Sequence, residues 1–140
     1  MASSILAPVV ALVLWTLAVQ AWLYATRIPA MVRQKIVYDP QKPNQAFQAQ
    51  FPARVRWKAD NYNNLMEQPT LFYAIALTLA LSGAGEGGNA LLAWLYVAVR
   101  IAHSLWHATV NTVLVRFGLF IAGSLVLLVL TLRAAMVLFG

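Results

Sequence analysis

The sequence predicts an all-α fold of four membrane-spanning helices. Three features carry this: 61% of the 140 residues are hydrophobic, only 10% are charged, and the apolar residues gather into four long runs. A water-soluble domain carries about 25% charged residues. A hydrocarbon core of about 30 Å takes about 20 helical residues. Spans over about 5–26, 62–82, 89–110 and 116–138 fit, with a cytoplasmic loop over about 27–55. The whole chain, 1–140, is then one integral membrane four-helix bundle. No ten-residue segments of alternating hydrophobicity occur, which excludes a closed barrel. Little chain is left for a separate soluble domain.

The first run, from Ile5 to Thr26, is interrupted only by Thr16 and Gln20 before it ends. Val19-Gln20-Ala21 loosely resembles a signal cleavage site. However, no Lys or Arg precedes Arg27, and the run exceeds the length of a signal core, so it reads as a retained helix. Gln20 is expected to hydrogen-bond to a neighbouring helix.

The connection that follows holds seven of the ten basic residues: Arg27, Arg33, Lys35, Lys42, Arg54, Arg56 and Lys58. The net charge of +6 is therefore a topology signal rather than a nucleic-acid footprint. This loop faces the cytoplasm. The Ser82–Asn89 turn, without Lys or Arg, faces the other side, and both termini lie outside the cytoplasm. The stretch YDPQKPNQAFQAQFP is irregular by its prolines and amides. Arg56 and Lys58 read as solvated or headgroup contacts, and Trp22, Tyr24, Trp57 and Tyr62 as interface anchors.

After Pro52 there is no helix breaker until Pro69, so the second helix starts near Arg54, enters the bilayer around Asn64 and kinks at Pro69. Arg56, Asp60, Asn63 and Glu67 follow at intervals of 4, 3 and 4, on one face, with Asn64 beside them. In the third span Arg100, His103, His107 and Asn111 form a second stripe. Arg116 opens the fourth. Ionisable groups in lipid cost several kcal/mol, so the stripes should face each other or a wet cavity. Glu67 then has Arg100, Arg116 or a cationic group of a ligand as partner; a purely structural Glu67–Arg100 pair fits the same pattern. His103 and His107 have metal-ligand spacing, but no third ligand except Glu67 and no H-E-x-x-H motif, so no metal site is predicted. Arg133 snorkels to the far interface. Cysteine is absent, so any thiol chemistry takes its sulfur from a small molecule.

Four spans in this length, NNLME opening the second and RIAHSLWHATVNTVLVR joining the third to the fourth, resemble the MAPEG family, membrane-associated proteins in eicosanoid and glutathione metabolism. The motifs cover about 25 residues, the span pattern the whole chain. The resemblance, of a prokaryotic type, implies a homotrimer in a bacterial inner membrane, with glutathione as co-substrate between neighbouring protomers near the cytoplasmic face. By the family pattern Asn64 and Glu67 hold the glutathione backbone, Glu67 reaching its amino group. Arg100 and His103 match the R-x-x-H of the third helix. Arg116 matches the arginine beside the sulfur, the catalytic position, and Arg27 a basic residue that contacts a carboxylate.

The chain departs from the pattern at Asn63, where many members have arginine, and at His107, where many eukaryotic members have tyrosine. Phe120 lacks the hydroxyl that some members place there. His107 is the candidate donor in place of the phenol. Glutathione carries two carboxylates, one ammonium and one thiol, and Arg27, Arg100 and Arg116 against Glu67 match that balance. The expected function is a glutathione-dependent transferase or peroxidase acting on lipophilic electrophiles or lipid hydroperoxides from the bilayer. The alternatives are a non-catalytic, lipid-binding member and, further off, a proton-coupled transporter.

Overall fold

The computed structural model describes residues 2–140, and every regular element among them is helical. α1 spans Leu6–Arg33, α2 Asn44–Gln48, α3 Ala53–Leu65, α4 Pro69–Leu81, α5 Gly88–Thr109 and α6 Val113–Phe139. α1 packs on α3, α4 and α5; α6 packs on α5 and α4; and α3 packs on α5. The shared core is aliphatic and aromatic: Leu12, Val19, Leu65, Phe72, Leu79, Tyr96, Val97 and Leu130 are almost fully enclosed. Phe72 and Tyr96 stack with ring centroids 4.5 Å apart.

Two helices, α1 and α6, are long and apolar enough to cross a membrane. Their 28 and 27 residues rise about 40 Å, more than a hydrocarbon core of about 30 Å. Only 22% and 17% of their most apolar stretches are buried within the chain. A core helix of a soluble protein hides its apolar surface; these display it. α5 has the length, at 22 residues, but Arg100, His103 and His107 lower its apolarity.

The second span is not the continuous, kinked helix the sequence suggests. It is two helices of 13 residues each, α3 and α4, separated by a turn at Met66–Gln68. Pro69 is the cause. Inside a helix its ring would collide with the Leu65 carbonyl, and it has no N–H to return. α3 therefore stops at Leu65, and Pro69 opens α4 at a position where the missing donor costs nothing. α1, by contrast, runs through Pro29, which leaves the Ala25 carbonyl without its helical donor.

The end with few charges is tied by the chain's first residues. The Ile5 amide donates to the Gly85 carbonyl at 3.0 Å, and the Ser4 amide to Glu86 Oε1 at 2.7 Å. The Ser4 hydroxyl also donates to Glu86. A Cβ on Gly85 would collide with the Ser3 side chain and lie 2.7 Å from Ile5 Cγ2, so this approach needs glycine. Arg133 reaches the same end, donating to Asn89 Oδ1 at 3.1 Å.

Candidate functional site

The third-span stripe turns inward. Arg100, His103 and His107 of α5 are 0, 2 and 3% exposed. Arg100 Nη2 donates to both oxygens of Asn64, the backbone carbonyl at 3.0 Å and Oδ1 at 2.7 Å. The break before Pro69 makes this possible. In a continuous helix the Asn64 carbonyl would accept from the Gln68 amide; here it takes the Glu67 amide at 3.3 Å and keeps room for a guanidinium. Arg100 thus caps the last turn of α3, where a cation meets the negative end of the helix dipole.

The rest of that guanidinium is unspent: buried Nε and Nη1 have no partner among the described residues. The sole ion pair among them, Lys42 with Asp39, lies elsewhere. An unpaired buried charge is costly, so these donors suit an anionic group. Beside them is a cleft of about 180 Å3 lined by Asn64, His103, Val113, Arg116, Phe117 and Phe120. Arg116, half-buried in the first turn of α6, donates from Nη1 to Asn111 Oδ1 at 2.7 Å and leaves Nε free. Asn111 is not on the third helix, which ends at Thr109; it sits in the left-handed region, φ 59°, in the turn to α6. The imidazoles of His103 and His107 meet edge to face, centroids 5.9 Å apart, and both Nδ1 atoms lack partners. His103 also lies 6.4 Å from the Phe120 ring.

Of the residues singled out from the sequence, Asn64, Arg100, His103, His107 and Arg116 come together here. Two do not. Glu67 is exposed in the turn after α3, and its carboxylate pairs with neither Arg100 nor Arg116. The α3 stripe explains this. Asp60 and Asn63 are exposed as well, whereas Lys58, Asn61 and Leu65 face the core. The proposed polar face is therefore the outer one. Arg27 is absent from the cleft. Its guanidinium lies over Phe51 at 4.3 Å and Phe47 at 5.3 Å, and Nη2 donates to Gln48 Oε1 at 3.1 Å. Lys58 is not solvated: it is buried with its ammonium 5.0 Å from the Trp22 ring. Burial, with Arg54 one turn back, holds it below the ordinary lysine range. Gln20 makes no side-chain hydrogen bond among the described residues.

Six residues outside the sequence-based set support the site. Ser104 Oγ accepts from Trp15 Nε1 at 2.9 Å and from Asn61 Nδ2 at 2.8 Å, joining α1, α3 and α5. Tyr96 donates its hydroxyl proton to Gln68 Oε1 at 3.1 Å. Gln68 Nε2 donates to Ser124 at 2.8 Å, and Ser124 to the Phe120 carbonyl at 2.8 Å. These contacts set α4, α5 and α6 around Arg100. Spacing could have pointed to two of them, since Tyr96 is one turn before Arg100 and Asn61 three residues before Asn64. The partners across helices had no local signal.

The fold and site define a helical membrane protein with a buried basic cluster at one end. The family model of the MAPEG family matches residues 5–136, and the chain belongs to that family. It is accordingly membrane-associated. No curated protein and no solved structure matches the chain.

Proposed function

We propose that the protein is a glutathione-dependent transferase or peroxidase of the membrane, acting on lipophilic electrophiles or lipid hydroperoxides. The protomer crosses the bilayer four times, α3–α4 and α5 supplying the two inner spans, and three protomers assemble. The basic end of α1 and the α2 segment face the cytoplasm, with both termini on the other side.

One observation carries the reading: the buried Arg100 guanidinium, with two unpartnered nitrogens, is held on Asn64, which lines a cleft together with His103 and Arg116. A carboxylate admitted past Asn64 or His103 to the unpartnered nitrogens of Arg100 would form charge-assisted hydrogen bonds. Arg116 lines the cleft. A cation beside a thiol favours the thiolate and lowers the thiol pKa. The thiolate attacks the electrophilic carbon of a lipophilic substrate; the carbon–sulfur bond forms and the leaving group departs with the bonding electrons. Glu67, exposed beside Asn64, is free to take the ammonium.

The volume supports assembly. A cleft of about 180 Å3 is below the range of about 300–1,000 Å3 of sites that enclose a ligand. A neighbouring protomer would enlarge it, and its Arg27 would add the missing cation. The exposed apolar faces of α1 and α6 are then shared between lipid and neighbour.

Calorimetric titration of glutathione into the detergent-solubilised protein tests the proposal. Saturable binding is expected, weakened about tenfold or more by Asn64→Ala and by Glu67→Ala, each of which removes a charge-assisted contact. Arg116→Ala should lower turnover of an electrophile about a hundredfold, with a smaller change in affinity. No saturation up to about 10 mM would overturn the reading and leave the non-catalytic, lipid-binding one.

A further inference from the structure

Where α1 leaves the membrane, a second opening lies on the outside of the molecule. It is a groove of about 450 Å3 between the end of α1 and the start of α3, lined by Ala25, Pro29, Ala30, Arg33, Gln34, Pro52 and Val55 among others. Pro29 lines it beside Ala25 and, without an amide proton, leaves the Ala25 carbonyl without its helical donor. The floor is small and apolar, and the rim is cationic. Arg33 lines it, and Arg54, exposed, is the chain neighbour of the lining residue Val55 in the first turn of α3. Neither is in an ion pair, and α3 has no acidic residue in its first turn.

An exposed strip of α1 leads to the groove. Leu14, Ala18, Ala21 and Ala25 follow one another toward Pro29 at intervals of 4, 3, 4 and 4, on one face of α1, and all are exposed. This strip meets the groove where the apolar stretch of α1 gives way to Arg27 and Arg33.

We propose that this groove holds one membrane phospholipid with an anionic headgroup. The phosphate sits on Arg33 and Arg54, the glycerol region on Pro29 and Ala30, and one acyl chain lies along the Leu14–Ala25 strip. Charge selects this occupant over a second copy of the chain. Each copy carries +6 overall, with seven of its ten basic residues in 27–58. A neighbour inserted in the same direction would bring its own basic end to this groove, opposing like charges, whereas an anionic amphiphile neutralises it. Basic side chains just beyond an apolar span draw anionic lipid for the same reason. The inference does not depend on glutathione.

The full-length protein in mild detergent, incubated with vesicles of phosphatidylglycerol or of phosphatidylcholine, tests it by native mass spectrometry of the retained lipid. About one phosphatidylglycerol per protomer is expected, against little phosphatidylcholine. Arg33→Gln with Arg54→Gln should lower that retention about tenfold. Arg133→Gln, an equal charge change at the other end, should leave it unchanged. Ala30→Trp, which fills the groove without altering charge, should abolish retention. Glycerol 3-phosphate, a headgroup without a chain, should not displace the lipid.

Four results would each overturn the proposal. These are equal retention of the two lipids, wild-type retention by the double Arg variant, unchanged retention in a folded Ala30→Trp protein, or displacement by glycerol 3-phosphate. The double Arg variant alters only exposed side chains and decides the matter even if Ala30→Trp does not fold.

Discussion

Asn111 does two jobs with one side chain, and they can be separated. Its backbone lies in the left-handed region, which asparagine and glycine tolerate and alanine resists. Its Oδ1 holds Arg116. Asn111→Gly keeps the turn and frees the guanidinium, so melting in detergent should change little while glutathione turnover falls. Asn111→Ala loses both, with a further loss of about 1 kcal/mol in stability. Equal turnover in the wild type and the glycine variant would show that Arg116 needs no such anchor. The sequence placed Asn111 on the third helix by spacing alone. A non-glycine residue that ends a helix looks no different in sequence from one that continues it. Arg100 and His103 were legible because buried ionisable groups in an apolar run have few uses. Glu67 turns outward instead of pairing with Arg100 or Arg116, because periodicity shows that residues share a face but not which way the face turns.

At the scale of elements, the α3–α4 break ties the fold to the site. Pro69 was visible as a breaker, but its result, a freed carbonyl used by a guanidinium from another helix, depends on packing. Pro69→Ala would let α3 run on into α4. The Asn64 carbonyl would then pair with the Gln68 amide, and Arg100 would lose one of its two acceptors. A hydrogen bond to a charged group contributes about 1.5–3 kcal/mol. The variant should melt at a lower temperature and bind glutathione more weakly, although alanine is the better helix former. A rise in melting temperature with unchanged binding would refute the coupling.

The α4–α5 turn gives the opposite end its own pH dependence. The Ser4 hydroxyl and amide hold the Glu86 carboxyl below its ordinary value of 4.5. A lowered carboxyl pKa stabilises the folded clasp above that value, and the effect is lost as the pH falls through the folded value. The Ile5 amide, bonded to Gly85, should lose hydrogen-exchange protection as the pH falls through the lowered Glu86 value. Glu86→Gln should lose it already at neutral pH. Equal protection in both proteins at both pH values would show that Gly85 alone holds the chain end.

For the molecule as a whole, the decisive question is whether one protomer contains a complete site. Within the chain, Asn64, His103 and Arg116 share a cleft, while Arg27 is engaged with Phe51 and Gln48. α1 and α6, which carry Arg27 and Arg116, each pack on α5 and α4. If each site takes Arg116 from one protomer and Arg27 from the next around a ring, two inactive variants should rescue each other. Arg27→Ala and Arg116→Ala protomers would each fail as homo-oligomers. Co-expressed in equal amounts, they restore both arginines at about one quarter of the interfaces, since each ring interface joins unlike surfaces and both partners must be of the right kind. Turnover near that fraction of the wild type is the expected result, alongside a trimer by native mass spectrometry. Rescue cannot arise if both arginines serve one site within a single chain, because every protomer then lacks one of them. Trimers without rescue would place the site inside the protomer and require α2 to release Arg27 toward the cleft.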